Sequence, residues 1–188
     1  MEVINQGYTS NCKNSLGGLN NIYLFTFKKY SRSQIETDVN VLTSFPSTTI
    51  YAFEDNFSAT FDNKGNEDEG GKYYTESLNF TIVKTGLDYN FRKFLQQDLR
   101  AIVRDRNGKL RILGLYNGLE CDSINATTGT TKNSLNGYTI SLSGQEEEQA
   151  YYIDDLYNAG FTIDGEFNYL LQENGDYLLQ EDGFRILL

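Results

Sequence analysis

Residues Tyr73 to Val83 alternate so regularly that they admit one local structure. Tyr74, Leu78, Phe80 and Ile82 fall on one side of an extended chain, and Thr75, Ser77, Asn79 and Thr81 fall on the other. Glu76 is the single charged residue on the apolar side. A period of two residues belongs to a β-strand with one face buried and one face wet. A helix would scatter the same residues around its circumference. One such strand is not stable alone, so the rest of the chain has to supply a sheet.

Partners are easy to find. Asn21–Phe27, Thr48–Phe53 and Phe57–Phe61 are dense in β-branched and aromatic residues, as strands are. Asn107-Gly108 lies between the apolar runs Arg100–Asp105 and Lys109–Tyr116, and Asn-Gly in that setting is a strong hairpin signal. Asn117-Gly118 repeats the device before Leu119–Ala126, and Tyr138–Ser143 alternates again. The polar stretches 31–47 and 62–71 read as exposed loops. A helix is expected near residues 87–99, because Leu87, Phe91, Phe94, Leu95 and Leu99 share one stripe at helical spacing.

The chain has 188 residues with 14 Tyr, 12 Phe and a single Pro, which suits one β-rich domain with an appendage. Charge divides it. Residues 1–144 carry 15 basic and 15 acidic side chains, whereas 145–188 carry 11 acids and only Arg185, so the formal charge of −10 sits in the last quarter. The expected fold is mainly β: a β-sandwich or partly closed antiparallel barrel with one flanking α-helix. Its parts are an N-terminal arm (1–20), the body (21–144) and an acidic extension (145–188). The extension ends in Tyr169-Leu-Leu-Gln-Glu-Asn-Gly-Asp and Tyr177-Leu-Leu-Gln-Glu-Asp-Gly-Phe, nearly the same phrase twice. Its Asn-Gly and Asp-Gly turns imply a short β-meander, and its Leu-Leu pairs expose a leucine on each face for another chain to cover.

Signatures of catalysis are missing from the sequence. There is no histidine, no phosphate-binding or dinucleotide-binding glycine motif and no nucleophile elbow. Glu54/Asp55 and Glu120/Asp122 are carboxylate pairs of the kind glycosidases use, but acidic β-proteins offer such pairs by chance. Glu67-Asp68-Glu69 lacks the spacing of a calcium loop. No cofactor or metal is expected. Cys12 and Cys121 are expected to be free thiols of a protein made in a cytoplasm, because the N-terminus has no apolar export segment. No run approaches the ~20 apolar residues that span a bilayer, so no membrane partner is expected. Arg100, Arg104, Arg106, Lys109 and Arg111 form a basic cluster around one hairpin. Beside an acidic tail they fit a contact with the acidic loop Glu67–Glu69 of a neighbouring copy better than sequence-specific nucleic acid.

Taken in order, Cys12-x5-Gly18-Leu-x-x-Ile-Tyr-Leu, the alternating strand, Val103-x-Asp105-x-Asn107-Gly-Lys-Leu-Arg-Ile-Leu-Gly114-Leu-Tyr-Asn-Gly118-Leu-Glu and Tyr138-Thr-Ile-Ser-Leu carry a resemblance. Over residues 10–144 the chain resembles structural virion proteins of tailed bacteriophages, most of all the tail tube (major tail) protein. The resemblance implies hexameric rings whose inner sheets join around a lumen. Other virion tail proteins would be partners, and DNA would pass without specific contact. Inter-subunit contacts would fall at Gly17 and Gly18 of the arm, at Glu67, Asp68 and Glu69, at Arg104, Arg106, Lys109 and Arg111, and at Tyr169, Leu170, Tyr177 and Leu178. The acidic tail departs from the minimal family pattern and leaves a neck or baseplate ring as an alternative. A second class is a monomeric β-sandwich module binding a glycan or protein through Tyr73, Tyr151 and Tyr152.

Overall fold

The computed structural model describes residues 16–53, 58–83, 91–131 and 134–164. Twelve strands make two sheets: β1 Leu19–Thr26, β2 Glu36–Asp38, β3 Val41–Ser44, β4 Thr48–Phe53, β5 Thr60–Asp68, β6 Gly71–Val83, β7 Leu99–Asp105, β8 Leu110–Leu113, β9 Glu120–Thr127, β10 Gly137–Glu146, β11 Tyr152–Ile153 and β12 Phe161–Ile163. The larger sheet has the order β12-β4-β1-β7-β8-β11-β3-β2, the smaller β5-β6-β10-β9.

Connection lengths dictate the curvature of the larger sheet. Five strand spacings separate β3 from β4, roughly 24 Å in a flat sheet. The three residues 45–47 that join them reach at most about 14 Å. The sheet is therefore curled into a half-barrel. Its opening is laced by Phe45 N–H donating to Ala159 O (2.8 Å) and Thr48 N–H to Gly160 O (3.0 Å), while β11 and β12 run parallel to β3 and β4.

Curling gives the larger sheet two buried faces. On the side facing the smaller sheet, Ile22, Leu24, Ala101, Val103 and Leu113 meet Leu78 and Phe80 of β6 and Ile140 and Leu142 of β10. Inside the half-barrel, Tyr23, Phe25, Ile50, Ile102 and Ile112 surround Phe161, whose ring stacks on Phe45 at 5.0 Å and tilts against Phe25 at 5.7 Å. Each fully buried large side chain of this kind contributes about 1.5–3 kcal/mol.

Several expectations are corrected. No flanking helix of seven or more residues occurs among the described residues. Phe91–Leu95 form a short 3-10 helix with Phe91 and Phe94 buried, and Leu99 opens β7 instead. Sidedness at spacing three serves a 3-10 turn as well as an α-helix. The β-branched run after Leu99 pairs with β1 from Asp105↔Leu19 to Leu99↔Thr26, which a helix could not do. The stretch 62–71 is not a loop but β5, a tight turn and the start of β6, because β6 templates the strand residue by residue from Asn79↔Thr60 to Gly71↔Asp68. Residues 31–47 likewise hold a 3-10 turn, β2 and β3. The change of charge at residue 145 coincides with no break: β10 runs on to Glu146, and β11 and β12 belong to the half-barrel. The tail meander with Tyr169, Leu170, Tyr177 and Leu178, the arm before Leu16, Glu54/Asp55 and residues 84–90 lie outside the described residues.

Candidate assembly surfaces

The smaller sheet ends in two edge strands, β5 and β9, and among the described residues no further strand pairs with either. Three antiparallel pairings separate them, so they run in opposite directions. Its outer face is built from small polar side chains. Thr75, Ser77, Asn79 and Thr81 of β6 stand beside Gln145, Ser143, Ser141 and Thr139 of β10. Hydrogen bonds tie the rows together: Ser141 Oγ to Asn79 Oδ1 (2.6 Å), Asn66 Nδ2 to Thr75 Oγ1 (2.8 Å) and Ser143 Oγ to Asp122 Oδ1 (3.0 Å). This is the wet face that the alternation of residues 73–83 requires.

The two charged clusters expected to meet between copies lie at opposite ends of β5. Glu67, Asp68 and Glu69 form its far turn, all exposed. Arg104, Arg106 and Lys109 are exposed on the β7–β8 hairpin, which borders a cleft with Thr60 and Phe61 at the start of β5. Eight residue steps of about 3.4 Å hold the ends about 27 Å apart. Within one chain the clusters therefore cannot pair, whereas two copies placed head to tail can bring them together. Arg111 belongs to this end too, but its guanidinium lies over Tyr152 (4.5 Å) and donates to the Tyr152 hydroxyl (2.6 Å). Gly18 sits under Arg106, whose guanidinium lies 3.2 Å from where a Cβ would stand, and Arg106 N–H donates to Gly18 O. Gly17 is exposed next to it. The arm is also tied here through Leu16 N–H to Asn107 Oδ1 (2.9 Å) and Asn107 Nδ2 to Leu16 O (3.0 Å).

Arg100 does not belong to the basic surface. It is 1 % exposed on the inner side of β7, with its guanidinium 4.3 Å from the Phe27 ring centre and 5.2 Å from that of Phe45. Its Nε and Nη2 donate to the carbonyls of Gly114 (3.2 Å) and Leu115 (2.9 Å). Burial lowers its pKa to about 10, so it stays charged at neutral pH. Two buried carboxyl groups hold the same segment, where the chain crosses from the larger sheet to the smaller. Glu76 Oε2 accepts Gly114 N–H (2.7 Å), and Glu146 Oε1 accepts Tyr116 and Asn117 N–H (2.9 Å each). Desolvation raises the pKa of both carboxyls, that of Glu76 to about 7. Segment 114–118 can approach β10 this closely because Gly144 lacks a side chain: a Cβ there would stand 2.5 Å from Gly118 O.

Tyr73, Tyr151 and Tyr152 are half-buried, and Arg111 lies over the ring of Tyr152. Glu120 and Asp122 are exposed on the β9 edge. Among the described residues no cluster of three or more metal-ligating side chains occurs, and no helix is long and apolar enough to cross a membrane. Cys121 is a free thiol. Comparison with protein-family models, with curated proteins and with solved structures gives no match.

Proposed function

We propose that the chain is a non-enzymatic structural subunit of a bacteriophage virion that assembles into rings through β-sheet pairing. The rings would stack as a tail tube through which DNA passes. The observation that carries this reading is the pair of oppositely directed edge strands of the smaller sheet, neither paired further among the described residues. A copy set beside the first in the same orientation presents its β5 antiparallel to this copy's β9, so the ladder extends from copy to copy and can close as a ring. The resemblance to tail tube proteins sets the expected count at six. The outer face would line the lumen. Its hydroxyls and amides offer a polyanion few of the Lys and Arg contacts that hold phosphates, so DNA would slide rather than bind. Head-to-tail charge complementarity would stack the rings, and other tail proteins would cap the stack in the virion after synthesis in the host cytoplasm.

Sedimentation and negative-stain microscopy across a hundredfold concentration range test the reading. Rings or tubes are expected from the full chain. Single rings that never stack would favour a neck or baseplate component. Proline is then placed at Asn125 or at Ala126 of β9. Adjacent residues of an edge strand point their N–H groups alternately in and out, so one of the two variants keeps its fold while blocking the edge. That variant should remain a folded monomer. A wild-type protein that is monomeric throughout the range overturns the proposal.

A further inference from the structure

Asp38 pairs with Val41, so Val39 and Asn40 make the two-residue turn between β2 and β3. They are the only non-glycine residues with positive φ among the described ones, at 26° and 71°. Such a turn selects Gly, Asn or Asp, and a β-branched residue in the left-handed region is strained. Val39 is also 86 % exposed, the most exposed large apolar side chain described. Both the backbone and the solvent oppose valine here, and a partner that covers it would offset both.

We propose that Val39 is a knob that seats, in the next copy of the chain, in the cleft between the start of β5 and the β7–β8 hairpin; this rests on the head-to-tail reading above. The cleft, of about 410 Å³, has an apolar floor of Leu19, Ala59, Phe61 and Val103 and a rim that includes Lys109 and Arg111. Arg104 and Arg106 extend the same hairpin. Of the two acids in the cleft, Asp62 and Asp105, the second is engaged by the N–H groups of Asn107 and Lys109 at 2.8 Å each. The knob carries the complementary arrangement. Asp38 precedes it, and Glu147 and Glu148 share its hollow with Lys72; Glu147 pairs in turn with Arg32. An apolar centre with an acidic surround thus faces an apolar floor with a basic rim. The two surfaces differ, so their contact is heterologous and repeats from copy to copy along one axis.

The test exploits a sign that misfolding cannot imitate. Val39→Gly relieves the turn and should raise the thermal midpoint, while removing the knob should raise at least tenfold the protein concentration at which rings stack. Val39→Glu should abolish stacking and leave rings intact. In a Cys12→Ser, Cys121→Ser background, Val39→Cys combined with Lys109→Cys should give a ladder of disulfide-linked multimers on oxidation, and neither alone should. Rings that stack equally well in Val39→Gly, or the absence of a ladder from stacked rings, overturn this contact and leave the ring reading standing. Wild-type protein that never leaves the monomer removes both.

Discussion

The carboxyl of Glu76 makes the fold's stability depend on pH in a way one substitution can isolate. It is 1 % exposed, and desolvation raises its pKa from the ordinary 4.5 to about 7, with Glu146 on the neighbouring strand adding repulsion. Between those values the folded chain holds a proton that the unfolded chain has released. The contribution is therefore complete below pH 4.5, declines as pH rises and is lost once pH passes 7. At about 1.36 kcal/mol per unit the loss is about 3 kcal/mol. Glu76→Gln removes the titration while keeping the geometry. The glutamine oxygen can accept Gly114 N–H, and once the Asn63 amide, whose Nδ2 donates to Glu76 Oε1 (3.2 Å), turns over, the glutamine amide can donate to Asn63 Oδ1, which is buried without a partner among the described residues. Urea midpoints of both proteins at pH 5, 6, 7, 8 and 9, converted with an unchanged m-value, give the difference directly. Between pH 5 and pH 8 the variant should gain about 2.5 kcal/mol on the wild type. Carboxyls other than Glu146, which repels Glu76, titrate alike in both and cancel. A difference that does not change with pH, or one that moves against the variant as pH rises, refutes the argument.

Two further predictions concern the half-barrel. Phe161→Ala removes the ring at the centre of the Phe25–Phe45 cluster and should cost about 3–5 kcal/mol in chemical denaturation, well above any surface substitution. A chain ending at Gly144 loses Ile153, Phe161 and Ile163 from the inner core along with Glu146, and should show broad, uncooperative melting by circular dichroism; a chain ending at Asp164 should melt cooperatively.

Which parts of this fold were legible follows from how far each determinant reaches along the chain. The strand at residues 73–83 and the Asn107-Gly108 hairpin were plain because alternation and turn chemistry are local; Gly108 indeed takes φ 83°. The edge strand β5 was hidden because its Asp, Asn and Gly residues have loop propensity, and its extended form comes from β6, a partner that propensity cannot see. The expected helix does not run on to Leu99 for the same reason: the stripe through Leu99 ignored the pairing of β7 with β1. Glu76 stood out as a charge on an apolar face, but its partners at 63, 114 and 146 are distant in sequence. Arg100 looked like one more member of a basic cluster because alternation places it opposite Ala101, and only the curl of the sheet buries both sides. Nothing local marked Val39 except a valine beside Asn40 in a turn two residues long.

If lateral pairing and axial stacking both occur, they rest on different physics, and salt should separate them. Edge pairing between β5 and β9 is made of main-chain hydrogen bonds, whose strength barely depends on ionic strength. Stacking sets Glu67, Asp68, Glu69, Glu147 and Glu148 against Arg104, Arg106 and Lys109, all exposed, and exposed pairs are screened within about 10 Å at 0.1 M salt and about 3 Å at 1 M. Raising sodium chloride from 0.05 to about 1 M should therefore shorten tubes to single rings without producing monomers. Dilution back to low salt should restore the tubes, since neither the edges nor the knob has been altered. If rings dissolve before tubes shorten, the edges are not the lateral contact and the clusters at the ends of β5 join neighbours within a ring. If tubes keep their length at high salt, charge does not hold the stack, and the apolar seat of Val39 would have to carry it alone.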